Sequence, residues 1–360
     1  MAFSSAAGHG SLPNGNFSPV IYSKKVQVAF RRSSVVQDIT NSDYFGEIAS
    51  HGDSVKIIKE PEITVKEHKR GTVIQPQDLD DEDFSLVVDK SNYFAFKVND
   101  IEEAHSHVNF QALASSRAAF KLSDQFDRDV LGYLTGFEQS ALGGIADTAR
   151  TTASGTKAVA TAGSDELLAS MKLDASDFTN TSGTAGSANS SIGLEPRAPG
   201  ATAVRSATAG NSFPIAVIAR MWRLLDQQDV PRDGRWLVVD PVFCELLADE
   251  DSRLFNYEGG GASELRNGLV LPNLQGFRVY KSNNLPQIGT GAGTTGGTNA
   301  NNYGIIVAGH ASSVATAEQL NKVEAYRDPD SFGDIVRGMH LYGRKILRPE
   351  GLVVARYNLV

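Results

Sequence analysis

With one cysteine in 360 residues, Cys244, the chain cannot close an internal disulfide, which points to a reducing compartment. Val242, Phe243, Leu246 and Leu247 surround that cysteine, so a buried, inert thiol is expected. The first ten residues, Met1-Ala-Phe-Ser-Ser-Ala-Ala-Gly-His-Gly10, lack the basic start and apolar stretch of a secretory signal. No apolar run approaches the length of a membrane span. Positive charge is also scarce: 34 Lys and Arg against 42 Asp and Glu give a net charge of −8. A free nucleic-acid binder usually shows a basic stripe, and none is visible.

Catalytic patterns are equally sparse. There is no Gly-x-Ser-x-Gly elbow, no Gly-Lys phosphate loop and no His-Glu-x-x-His helix. Gly291-Ala-Gly-Thr-Thr-Gly296 spells the dinucleotide fingerprint, but Asn283-Asn-Leu-Pro286 precedes it and Gly297-Thr-Asn-Ala-Asn-Asn302 follows. A working fingerprint needs a buried strand before it and a helix after it, so a solvent-facing loop that binds no nucleotide is expected. His105 and His107 stand two apart and would point about 200° away from each other on a helix, which does not suit a shared metal. The acidic run Asp78–Asp83 reads as a solvated loop. No metal, cofactor or catalytic residue is assigned.

What is present is a series of structural signals. Residues 1–20 are rich in Gly, Ser, Asn and Pro and read as an arm; from Val20 to Ile48 the chain is amphipathic, with Phe30, Val35 and Ile39 as anchors. Gly52–Ile58 alternates as a strand, and Thr64-Val65 begins another. Phe84–Val98 reads as a hairpin turning at Lys90-Ser91-Asn92, with Phe94, Phe96 and Val98 on one face. Asp100 as N-cap and Glu103 as its capping-box partner open a helix. Ile101, Ala104, Val108, Ala112, Ala119, Leu122, Phe126, Val130 and Tyr133 recur along it. Neither Gly nor Pro interrupts it from Asp100 to Leu131, so the rod is roughly 50 Å long.

Residues 141–210 turn to Ala, Gly, Ser and Thr and read as an insertion or mobile loop outside the core, with only Glu166–Met171 helical. Order returns with a helix from Pro214 to about Gln228, a buried strand Arg235–Val239, and a helix opened by Asp240-Pro241. Strands follow at Phe277–Lys281, Tyr303–Ala308, about His340–Leu347 and Leu352–Asn358.

The most distinctive stretch is Tyr326–Gly343, followed by Arg348-Pro349. Its glycines constrain backbone approach, and Arg337 and Arg344 offer planar forks suited to carboxylates. Phe332-Gly333-Asp334, Arg337-Gly338, Tyr342-Gly343 and Arg348-Pro349 closely resemble the carboxyl-terminal signature of tailed-bacteriophage major capsid proteins of the Hong Kong 97 fold. Further matches run from about Ser23 to Val360. They include Gly52–Ile57, Leu86–Asp89, Tyr93–Val98, Arg235–Val239, Lys281-Ser-Asn-Asn284, Gly309-His310 and Ala317-Glu318; they are weakest over 141–210.

The resemblance implies an α+β subunit with an N-arm (1–50), an E-loop (51–98), a P-domain spine helix (99–140), an insertion or loop (141–210), an A-domain (211–327) and P-domain return strands (328–360). It implies self-assembly as hexamers and pentamers into an icosahedral head around double-stranded DNA, after synthesis in a bacterial cytoplasm. A portal, a separate scaffolding protein and a decoration protein are the partners it suggests, with no membrane. Phe94, Phe96, Asp334, Arg337 and Arg344 are the candidate inter-subunit contacts, with Asp328 and Asp330 as neighbouring carboxylates. The E-loop ribbon is expected to pack on an adjacent subunit. An encapsulin-type nanocompartment shell shares the fold, and a nucleotide-dependent enzyme resting on the Gly291 loop is the third reading.

Overall fold

The computed structural model describes residues 34–43, 54–58, 63, 65–71, 73, 76–77, 83–99, 110–135, 137–139, 145–147, 167–187, 191–195, 207–247, 273–286, 303–329 and 332–359. Phe30, the Asp100–Glu103 capping box, His105, His107, Asp78–Glu82 of the acidic run and the Gly291–Asn302 segment lie outside them.

In chain order a short helix α1 (Val36–Ile39) precedes strands β1 (Ser54–Ile58), β2 (Asp83–Val87) and β3 (Lys90–Asn99). The long helix α2 (Phe110–Thr135) follows, then β4 (Phe137–Gln139), β5 (Ile145–Asp147), β6 (Lys172–Leu173), β7 (Ile192–Leu194) and β8 (Asn211–Ser212). Helix α3 (Pro214–Gln227), β9 (Arg235–Val239), helix α4 (Pro241–Leu247), β10 (Asn273–Leu274) and β11 (Phe277–Lys281) come next. The chain ends in β12 (Tyr303–His310), β13 (Val314–Arg327), β14 (Gly333–Ile346) and β15 (Leu352–Leu359).

An eight-stranded mixed sheet, in the order β10-β11-β9-β12-β15-β7-β8 with β6 also on β15, holds the core. Its central strands are apolar at successive positions, which a sheet covered on both faces requires. Alternate residues serve opposite cores. Trp236, Val238, Ile305, Val307, Leu352 and Val354 pack with Val35, Val36, Ile39 and the α2 residues Phe126, Val130, Leu131 and Leu134. Leu237, Val239, Ile306, Ala308, Val353 and Ala355 pack with α3 and α4 through Val217, Met221, Leu225, Phe243 and Leu247. Cys244 sits in this second core, where burial pushes its thiol up to about 11. Among the described residues no helix is long and apolar enough to cross a membrane.

Several expectations are corrected. Phe84–Val98 is not a hairpin: β2 pairs antiparallel with β1, whereas β3 pairs antiparallel with β14, so the chain changes sheets at Val88-Asp89. Alternation identified the faces correctly but carried no information about the partner strand. Part of 141–210 belongs to the core: Leu167, Met171, Leu173, Ile192 and Leu194 are buried, and β6 and β7 extend β15 in parallel. The Glu166–Met171 helix is only a 3-10 turn at Ala169–Met171 among the described residues. Strand β13 was not anticipated, and Ile63 and Val65 lie in no strand.

At the end of β9, the carboxylate of Asp240 accepts the Tyr357 hydroxyl at 2.6 Å on each oxygen and the Phe243 N–H at 3.1 Å. Burial raises the Asp240 carboxyl above its usual range, and those two hydrogen bonds oppose the shift only in part. A folded-state value above the unfolded one gives stability that is present below pH 3.8 and lost as pH rises through the folded value. Asp240→Asn, which cannot titrate there, should therefore gain on the wild type over the range above pH 3.8 in which the folded wild-type carboxyl comes to ionise. Urea midpoints of both proteins across that range measure it; parallel curves would refute the assignment.

Candidate functional site

The strands β13 and β14, 14 residues each, form an antiparallel pair that β3 widens to three strands in the order β13-β14-β3. At about 3.4 Å per residue these are ribbons of roughly 45 Å, beside the α2 rod of roughly 40 Å. Asn92 Nδ2 donates to the Tyr342 hydroxyl at 3.2 Å, joining segments 250 residues apart.

The signature glycines permit close approach at two points. Gly338 lies opposite Phe94 in the register, and a Cβ there would overlap the Phe94 ring. Gly343 passes over the backbone of Val87 and Val88, where a Cβ would meet the Val87 carbonyl. The site therefore depends on glycine for space rather than for a left-handed backbone.

One face of the ribbon turns toward α2. Phe94 and Phe96 stack at 6.1 Å between centroids, and both are half-buried. Phe94 lines a crevice of about 150 Å3 with Leu122 and Phe126 of α2, His340 of β14 and Glu318 of β13. Next along, Phe126 meets His340 and Tyr342 edge-on at 5.5 and 4.9 Å. The Tyr342 hydroxyl donates to Asp129 at 3.0 Å, and burial foremost, then the Asp129 charge, raises its ionisation well above the usual value. Arg344 reaches both the carboxylate and the backbone carbonyl of Asp129, and its guanidinium lies 4.5 Å over the Tyr133 ring.

This geometry corrects the sequence reading of Arg344. Its side chain is 4% exposed and bound within its own chain, so it is an internal strut rather than a surface contact. Phe94 is half-buried and lines its crevice together with Leu122 and Phe126 of its own helix. Phe94→Ser should thus destabilise the isolated subunit, by about 1–3 kcal/mol in urea unfolding, apart from any effect on assembly. A loss confined to assembly would show that Phe94 acts at an inter-subunit contact alone.

The opposite face is open. Tyr93, Ala95, Met339, Arg337, Glu324 and Tyr326 border a hollow of about 640 Å3. Tyr93 is 79% exposed. Arg337 donates from Nη2 and Nε to Glu324 at 2.9 and 3.2 Å and stacks 4.9 Å over Tyr326. The Glu324 hydrogen bond and charge raise the ionisation of Arg337, which stays cationic. Asp334 pairs with Arg327 at 3.3 Å, Asp328 pairs with Lys97, and the Asp328 N–H donates to Gly333 to close the β13–β14 turn. Asp330 lies outside the described residues.

Sequence reasoning missed Asp129, Glu324, Tyr326, Tyr93 and Met339. Asp124, Asp127 and Asp129, on the turns that also carry the periodic apolar positions Leu122, Phe126 and Val130, were the available signal, since carboxylates are seldom buried without a partner. Among the described residues no cluster of His, Cys, Asp and Glu could hold a metal.

Long ribbon, long rod and two-sided sheet define a structural subunit of the α+β Hong Kong 97 class. Among solved structures the chain is similar to one from Mycobacterium phage Che8, at 26% identity over 95% of this chain and 97% of that one, with a TM-score of 0.65. It is similar to the capsid of Cyanophage P-SCSP1u, at 17% identity, 100% and 99% coverage and a TM-score of 0.63. The mature capsid of bacteriophage PhiM1 matches at 16% identity, 94% and 91% coverage and a TM-score of 0.60. No curated protein matches. The family model described as phage capsid protein matches residues 95–355, from β3 into β15. The chain belongs to the phage capsid protein family; it is a structural protein, and the enzyme reading falls with that membership.

Proposed function

We propose that copies of this chain join as hexamers and pentamers into the icosahedral head of a tailed phage, enclosing its double-stranded DNA. The observation that carries the reading is the open ribbon face, where Tyr93, Tyr326 and Met339 are exposed around the Arg337 hollow. Aromatic, Met and Arg side chains are the types that protein interfaces favour. A net charge of −8 suits a wall that encloses DNA without gripping it.

In this reading β1 and β2 form the base of an E-loop that reaches a neighbouring subunit, and Ile63, Val65 and Val73 are the exposed apolar residues it brings. The pairing of β3 with β14 favours an E-loop that ends near Val88-Asp89 rather than at Val98, with β3 assigned to the P-domain. The N-arm and A-domain keep the limits given above. A separate scaffolding protein, a portal and a decoration protein are the partners that accompany this function.

Electron microscopy of the purified chain, expressed with and without the rest of its gene cluster, tests the proposal. Closed icosahedral shells of regular diameter are expected. A chain that stays monomeric or forms only irregular aggregates in both preparations would count against it.

A further inference from the structure

We propose that Asp127 is a positioning residue for shell assembly: its buried carboxylate locks the root of the amino-terminal arm to the long helix and to the loop after β11. The proposal rests on the capsid reading but goes beyond it, because it names the joint that fixes the orientation of residues 34–36 on the subunit.

Asp127 is fully buried on α2 and accepts four hydrogen bonds, all from neutral donors. Oδ1 takes the Ser34 hydroxyl at 2.9 Å, the Val35 N–H at 2.9 Å and the Val36 N–H at 3.0 Å. Oδ2 takes Asn284 Nδ2 at 2.7 Å. Asn284 is held in turn: its N–H donates to Ser282 Oγ at 3.1 Å, and the Ser282 N–H donates to the Val239 carbonyl at 3.0 Å. One carboxylate thus bridges the arm root, α2 and the end of β9. The Lys281-Ser-Asn-Asn284 motif, singled out in the sequence, supplies the second half of the bridge.

The arm root is fastened again beyond α1. Thr40 Oγ1 is 2.9 Å from Thr316 Oγ1, the Asn41 N–H donates to Val314 at 2.8 Å, and the Thr316 N–H donates to Asn41 at 3.0 Å. Val35, Val36 and Ile39 already supply apolar contact with Val130, Leu131 and Leu134. Apolar packing has little directional preference, whereas a carboxylate that gathers two backbone N–H groups and a hydroxyl fixes backbone orientation. A well-packed apolar residue at 127 would be the cheaper way to fill this space, since burying a carboxylate carries a large desolvation cost. Its presence is accounted for by the orientation of Ser34–Val36 and by coupling of that orientation to the β9 end.

Asp127→Asn tests the bridge with minimal change in shape. The amide retains an acceptor for the arm, but its NH2 would face the Asn284 NH2 donor to donor. Amide exchange at Val35, Val36 and Asn284 should accelerate about tenfold or more, while α3 and β9 keep their protection. Closed shells should give way to open or irregular ones in micrographs. The exchanged pair Asp127→Asn with Asn284→Asp restores a donor facing an acceptor and should recover both readouts; it also decides the matter if the single variant unfolds. Normal shells from a single variant whose arm amides have been freed would overturn the proposal, as would an exchanged pair that folds but assembles no better. A wild-type chain that makes no shells would count against the capsid reading instead, and the exchange rates alone would then decide the bridge.

Discussion

Replacing Arg344 with methionine should cost the folded subunit about 3–5 kcal/mol, among the largest effects of any single substitution in this chain. Arg344 is paired with the Asp129 carboxylate and carbonyl at the junction of α2 and β14, with its own side chain 4% exposed and that of Asp129 19% exposed. Removing the cation leaves Asp129 with the Tyr342 hydroxyl and a desolvated charge. The loss is therefore chiefly that of an uncompensated carboxylate, and a second change identifies it as such. Asp129→Leu added to Arg344→Met should recover most of the stability, because an apolar pair avoids the desolvation cost. Arg344→Lys should not, since an ammonium cannot reach both oxygens in a plane while lying flat over Tyr133. Urea unfolding of the three variants measures this, with an unchanged slope as the sign that only the native state was affected. A single-variant loss below about 1 kcal/mol would place the pair with ordinary surface ion pairs.

The same junction shows why the fold was legible in parts. Helix α3 and strands β9, β11 and β15 fall within a residue or two of where periodicity, Pro214 and the apolar runs placed them. Their pattern is local and both of their faces are dictated by burial. Strand β13 was missed because Glu318–Arg327 is mostly polar or charged, as a ribbon edge exposed on one side permits. The β3–β14 pairing was missed for a different reason. Period-two alternation states which side chains share a face, and nothing in 90–99 alone names a partner beyond residue 332.

Candidate-site residues divide along the same line. That Arg337 and Arg344 would meet carboxylates was legible from their chemistry, and both do. Which carboxylates they meet, and on which side of the ribbon, is a property of the register. Arg337 and Met339 share the open face; Arg344, with His340 and Tyr342, turns to the helix. The glycines made geometric sense in isolation, but only the assembled sheet shows that Gly338 makes room for Phe94 and Gly343 for the β2 backbone.

Arg337→Glu should lower the stability of the isolated subunit only slightly and still deplete closed shells by about tenfold or more. The guanidinium is exposed, its in-chain partner Glu324 is itself 36% exposed, and such pairs add little to folding because water screens them. The hollow around it changes more. Stacked over Tyr326 beside Tyr93 and Met339, Arg337 is the cation of a hollow whose other lining residues, Glu324 apart, are aromatic or apolar. Reversal places two carboxylates across the β13–β14 pair and repels any acidic group that a neighbouring copy brings to the hollow. Moderate salt should therefore restore part of the assembly defect, as it would not for a packing fault. Tyr93→Ser, on the same face but uncharged, should weaken assembly without that salt response. Normal shells from Arg337→Glu at low salt, with an unfolding midpoint little changed, would remove this face from the inter-subunit contacts. The neighbour would then have to be sought at the β1–β2 ribbon and the exposed Ile63, Val65 and Val73 beyond it.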